Sequence, residues 1–100
     1  MSGYSTPVRT ELDERVREVI AEVLMIGLNS VHPESVLIDD LGAESIDFLD
    51  LVFRIEEITK RPIPVTVWEE YVRTEATRKG GKLQITVGFV QGFAADQVRT

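Results

Sequence analysis

The sequence predicts an all-α fold: a small helical bundle of three long helices plus one short helix. Three observations carry this. Apolar residues recur at helical spacing from Leu12 to Leu24, and a second segment rich in apolar and acidic residues runs from Ser45 to two prolines at positions 62 and 64. The one segment with strand alternation, Leu83 to Phe89, has no second strand to pair with.

The first helix reads from Leu12, Val16, Val19, Ile20, Val23 and Leu24, which form one stripe, while Glu14, Arg15, Arg17, Glu18 and Glu22 lie mostly off it. Thr10 is the expected N-cap, with Glu11, Asp13 and Glu14 in the first turn favoured by the helix dipole. Gly27 and Asn29 are the expected stop. Residues 1–9, with Ser2, Gly3, Ser5, Thr6 and Pro7, read as a flexible leader, and residues 10–98 as the folded domain.

Residues 30–44 form a loop in which Val36, Leu37, Ile38 and Leu41 are too apolar to be left in water, so it is expected to be pinned onto the helices. The second helix is expected over Ser45–Thr59, ended by Pro62 and Pro64. A short third helix is expected around Val67–Arg73, followed by a flexible basic turn, TEATRKGGKLQ, with Gly80 and Gly81 at its centre. In the last stretch, strand alternation from Leu83 to Phe89 competes with a helix capped by Thr86 and carrying Val87, Val90, Phe93 and Ala94 on one face. The helix is preferred, although Gly88 and Gly92 each cost it about 1 kcal/mol relative to alanine.

The second helix has an apolar arc of about 240°, wider than the core stripe of an ordinary surface helix. Either it is nearly surrounded, or part of that surface serves a ligand or partner. Beside the arc runs a negative strip. Residues 34–57 hold eight carboxylates against the single Arg54, whereas residues 58–100 hold seven basic and four acidic groups. The formal net charge of −6 is therefore concentrated in the middle of the chain, and this acidic balance argues against nucleic acid and anionic membranes and for partners with basic surfaces.

One hundred residues with 43% hydrophobic content leave room for one small soluble domain with a single core. The absence of cysteine excludes disulfide scaffolds, thiolate zinc sites and a cysteine nucleophile, and a lone His32 provides neither a metal cluster nor a triad. Asp39 and Asp40 lack the spacing of a calcium loop, and no metal site is expected. No apolar run reaches the roughly 20 residues of a membrane span, so a cytoplasmic location without stable membrane insertion is expected.

Within residues 38–68 the sequence resembles the acyl carrier proteins. Leu41-Gly42-Ala43-Glu44-Ser45-Ile46 is similar to the family's L-G-x-D-S-L/I motif, and an acidic, apolar helix and Ile63-Pro64 come next in family order. The resemblance implies that Ser45 carries a covalent 4'-phosphopantetheine arm, added from coenzyme A by a phosphopantetheinyl transferase. A serine in the first turn of a helix fits this, since a phosphate there meets free backbone N–H groups and the positive end of the dipole. The arm's thiol would supply the nucleophile that the chain lacks. Glu44 stands where the family usually has Asp, setting the carboxylate one methylene further out. The resemblance further implies that Glu44, Asp47, Asp50, Glu56 and Glu57 form a docking face for ketosynthases, dehydratases and acyltransferases with basic patches. Such contacts are brief, salt-sensitive visits by a monomeric carrier that is not itself an enzyme.

A narrower likeness lies in Asp47-Phe48-Leu49-Asp50-Leu51-Val52-Phe53 with Trp68 following Ile63-Pro64. It resembles specialised carriers of very long acyl chains, including those destined for bacterial lipid A, and implies that Phe48, Leu49, Val52, Phe53 and Trp68 line or gate the acyl space. The alternatives are a carrier of polyketide or aminoacyl units, with the same arm and another cargo, and an unmodified helical adaptor whose wide apolar arc serves a protein partner.

Overall fold

The computed structural model describes residues 8–99, and positions 1–7 of the expected leader lie outside them. The helices are α1 (Arg9–Leu24), α2 (Ser45–Thr59), α3 (Val65–Arg78) and α4 (Val87–Val98), with a single 3-10 turn at Leu28–Ser30. Among the described residues there is no strand; an isolated antiparallel bridge joins Val36 to Thr86. The all-α expectation holds.

α1 begins before the expected cap. Val8 is the N-cap and its carbonyl accepts from Leu12 N at 3.0 Å, which places Thr10 inside the helix. The Arg9–Asp13 ion pair at 2.8 Å spans the first turn and stabilises a start that has no capping side chain. The end also comes earlier than Gly27. Met25 takes a left-handed conformation (φ 58°), and the N–H groups of Met25 and Ile26 close onto Glu22 O and Ala21 O. Arg17 then ties the 3-10 turn to α1, donating from Nε to Val31 O at 2.7 Å and from Nη2 to Leu28 O at 2.9 Å.

The loop is pinned as expected, though not by all four residues: Leu37 is fully buried, Val36 and Leu41 are half-buried or buried less completely, and Ile38 stands exposed. Its backbone is fastened to the start of α4. Val87 N donates to Ser35 O at 2.9 Å and Gly88 N to Pro33 O at 2.8 Å, while Leu37 N donates to Ile85 O at 2.9 Å. The loop carbonyls thus satisfy amides that a helix start ordinarily leaves without partners. Thr86 is the N-cap, its hydroxyl accepting from Phe89 N at 3.0 Å, and Val87, Val90, Phe93 and Ala94 are all buried. The helical reading of this segment holds, and only the Val36–Thr86 bridge remains of the strand alternative.

α2 has the expected limits, but Lys60 in the left-handed region (φ 60°) ends it before Pro62. α3 differs most from expectation. It opens at Pro64 as N-cap and runs 14 residues to Arg78, twice the expected length, because the Glu70–Arg73 and Glu75–Arg78 pairs stitch successive turns. Gly80 and Gly81, both at positive φ, close it, with Gly81 N donating to Ala76 O at 2.7 Å. The segment expected as a flexible turn is therefore half helix and half tightly closed turn, and the shortest helix is α4 with 12 residues.

The core is drawn from α1 (Leu12, Val16, Ile20), α2 (Leu51, Val52, Ile55) and α4 (Val90, Phe93, Ala94), with Val31 and Leu37 from the loop. α3 contributes one buried residue, Trp68. Its indole stacks on Phe48 with centroids 5.8 Å apart and takes the edges of Phe89 and Phe93 at 5.8 and 5.0 Å. Half-buried Tyr71 adds edge contacts to Phe89 and Phe93 at 5.2 and 5.1 Å, so two aromatic side chains anchor the helix.

Candidate functional site

The wide apolar arc of α2 divides into two parts. Phe48, Leu51, Val52, Ile55 and Ile58 face the core, whereas Ile46, Leu49 and Phe53 are 64%, 48% and 65% exposed. These three stand at i, i+3 and i+7, so they form a single apolar stripe along the outer face. At the head of that stripe is Ser45, the first residue of the helix and solvent-exposed. Gly42, at φ 77°, turns the chain three residues before it, and nothing lies within 4 Å of where a Cβ would be. Its role is conformational: it lets the loop bend into the helix start.

Ser45 opens onto a cleft of about 460 Å³ between the start of α2 and the start of α3, lined by Ile46, Phe48, Leu49, Val65, Trp68 and Glu69. The walls are apolar except for Ser45 and Glu69. Of the residues expected to line an acyl space, Phe48, Leu49 and Trp68 meet here. Val52 lies in the core and Phe53 on the solvent side, and neither lines the cleft. Ile46, Val65 and Glu69 complete it. Ile46 is legible in the sequence as the edge of the arc, while Val65 and Glu69 depend on where α3 begins.

The five carboxylates expected at a docking face differ in what they touch. Asp47 Oδ2 accepts from Glu44 N at 2.8 Å, capping the helix from its third position. Glu56 is half-buried and its Oε2 accepts from Ile63 N at 2.8 Å, which holds the turn between α2 and α3. Glu57 lies 3.8 Å from Arg54, which also pairs with Glu22 of α1. Glu44 is exposed, and Asp50 is exposed with neither an ion pair nor a hydrogen bond from its side chain among the described residues. Among those residues no three His, Asp or Glu side chains gather as metal ligands, and no helix is long and apolar enough to cross a membrane.

An exposed serine at a helix start, beside an apolar cleft, suits a chain that holds a tethered group. The chain belongs to the phosphopantetheine attachment-site family, whose model matches residues 14–74 and so spans the α2 start and the cleft. It is similar to acyl carrier protein AcpXL of Brucella melitensis, with 42% identity over 59 residues that cover 59% of this chain and 63% of the relative. The same protein from Rhizobium meliloti is 42% identical over 59 residues, covering 59% and 62%, and that from Mesorhizobium japonicum 39% over 59 residues, covering 59% and 63%. The matched stretch thus covers just under two thirds of these relatives. The family's prosthetic group is a covalently attached 4'-phosphopantetheine. The residues present fit it: a free hydroxyl, helix-start amides beside it for a phosphate, and an apolar cleft adjoining both.

Proposed function

We propose that residues 10–98 form an acyl carrier domain whose 4'-phosphopantetheine is esterified to Ser45. The observation that carries this is the position of Ser45, exposed at the first residue of α2 and at the mouth of the apolar cleft. The group supplies a flexible arm ending in a thiol that holds acyl chains as thioesters. The chain's own residues do the rest. The Ser45 and Ile46 amides at the start of α2 would hold the phosphate, the Asp47 amide being bonded to Glu44 O, Gly42 sets the approach, and Phe48, Leu49 and Trp68 offer the acyl chain a wall that excludes water. Each methylene sheltered there is worth about 0.8 kcal/mol.

Likeness to the AcpXL carriers, together with the stacked Phe48–Trp68 wall, supports long acyl chains as the cargo, delivered to lipid-synthesising acyltransferases. Asp50, Glu57 and Glu44 form the charged part of the docking face, and the exposed Ile46, Leu49 and Phe53 stripe the apolar part. A phosphopantetheinyl transferase, ketosynthases and dehydratases with basic patches are the other partners. Asp47 and Glu56 act first within the fold, holding the two ends of α2.

Intact mass after co-expression with a broad-specificity phosphopantetheinyl transferase tests the reading. One phosphopantetheine mass is expected on the wild type and none on Ser45→Ala. An unmodified wild type, or a modified Ser45→Ala, sinks it. The mass of the natively loaded protein then gives the cargo and separates fatty acyl from polyketide or aminoacyl units.

A further inference from the structure

The basic turn after α3 has no place in the Ser45 site, and its form in the structure is specific. Arg78, Lys79 and Lys82 surround Gly80-Gly81, and all five residues are exposed. Arg78 is paired with Glu75, whereas neither Lys79 nor Lys82 has a carboxylate within 4 Å among the described residues. The turn is closed by Gly81 N on Ala76 O at 2.7 Å, so the two ammonium groups are displayed on an ordered tip. Ten residues of helix separate Arg78 from Trp68, which places the tip about 15 Å along α3 from the cleft. That is nearly two screening lengths at physiological ionic strength, where the Debye length is about 8 Å. The acidic surroundings of Ser45 therefore do little to cancel the tip's positive field.

What could such a tip recognise? From Arg73 to Lys82 the only apolar side chain is Ala76, so the tip lacks the desolvated apolar centre that a protein interface needs. It also lacks an aromatic ring on which a nucleic acid base could stack. A surface of anionic lipid headgroups requires neither. We propose that the Arg78–Lys82 tip is a weak peripheral docking element for anionic membrane surfaces, touching the headgroups while the rest of the acidic molecule stands off. The overall charge of −6 then limits the contact to the tip and makes it reversible. The inference does not depend on Ser45 carrying the arm.

The test uses the full chain, isotope-labelled, with vesicles of phosphatidylcholine alone and of phosphatidylcholine containing phosphatidylglycerol, at low salt. Selective broadening of backbone amides between Thr77 and Leu83 is expected with the anionic vesicles only. Each cation near such a surface contributes about fivefold to partitioning, so Lys79→Gln with Lys82→Gln should reduce it by about 25-fold. Several outcomes overturn the proposal: no broadening, equal broadening with neutral vesicles, broadening centred on α2, a double variant like wild type, or stronger tip shifts with single-stranded DNA than with vesicles. The Ser45→Ala chain should bind as wild type does. Failure of the tip thus leaves the carrier reading standing, and the converse also holds.

Discussion

Asp50 and Glu56 look alike in the sequence, yet their surroundings differ. Glu56 takes the Ile63 N–H on a half-buried carboxylate, so Glu56→Ala should cost about 1–3 kcal/mol, read from the urea midpoint. Asp50→Ala should leave stability within about 0.5 kcal/mol. Its effect belongs in the rate of transfer to a partner with a basic patch. Gly42 is a third case: at φ 77° a side chain is strained even though the space is open, and Gly42→Ala should lower stability by about 1 kcal/mol. Tyr71 adds a pH signature. Burial, and then the nearby Glu75 and Asp96, hold its phenol above the usual 10.0. The folded chain keeps a proton that the unfolded chain releases, so this contribution is complete below about pH 10 and fades as the pH rises through the raised value. Thermal melts from about pH 9 to about pH 11 should show a steeper loss for the wild type than for Tyr71→Phe.

Among the four α-helices, α3 is the one with a single buried side chain, Trp68, backed by the half-buried Tyr71 and Val72. Trp68→Ala removes the stack on Phe48 and both edge contacts, an expected cost of about 3–5 kcal/mol. Amide exchange should show α3 opening well before α1, which shares a core with α2 and α4. The elements also differ in how far the sequence reveals them. α2 and α4 are legible because periodicity, Ser45 and Thr86 agree with the packing. The motif around Ser45 points to the cleft, but which of Phe48, Val52 and Phe53 faces it depends on how α3 approaches. The helix ends are harder to read. Met25 and Lys60 both close helices in the left-handed region that glycine usually fills, so Gly27 and Pro62 draw attention past the real stops. The length of α3 is hidden because its second half has almost no apolar residues and is held by ion pairs rather than by a buried stripe.

The whole molecule is polar in the electrical sense, with an acidic region around α2 and a basic tip beyond α3. Association with a basic partner should be steered, slowing by about tenfold or more from low to high salt in stopped-flow measurements. Salt should leave α4 unaffected, because the attachment there is of another kind. The first amides of a helix normally exchange with solvent almost at once, since nothing inside the helix accepts from them. Val87 and Gly88 donate instead to carbonyls more than fifty residues earlier in the chain. Their deuterium uptake should therefore match the middle of α4. Loop and helix should also open in a single kinetic step, making one cooperative unit of two segments that α2 and α3 separate in the sequence.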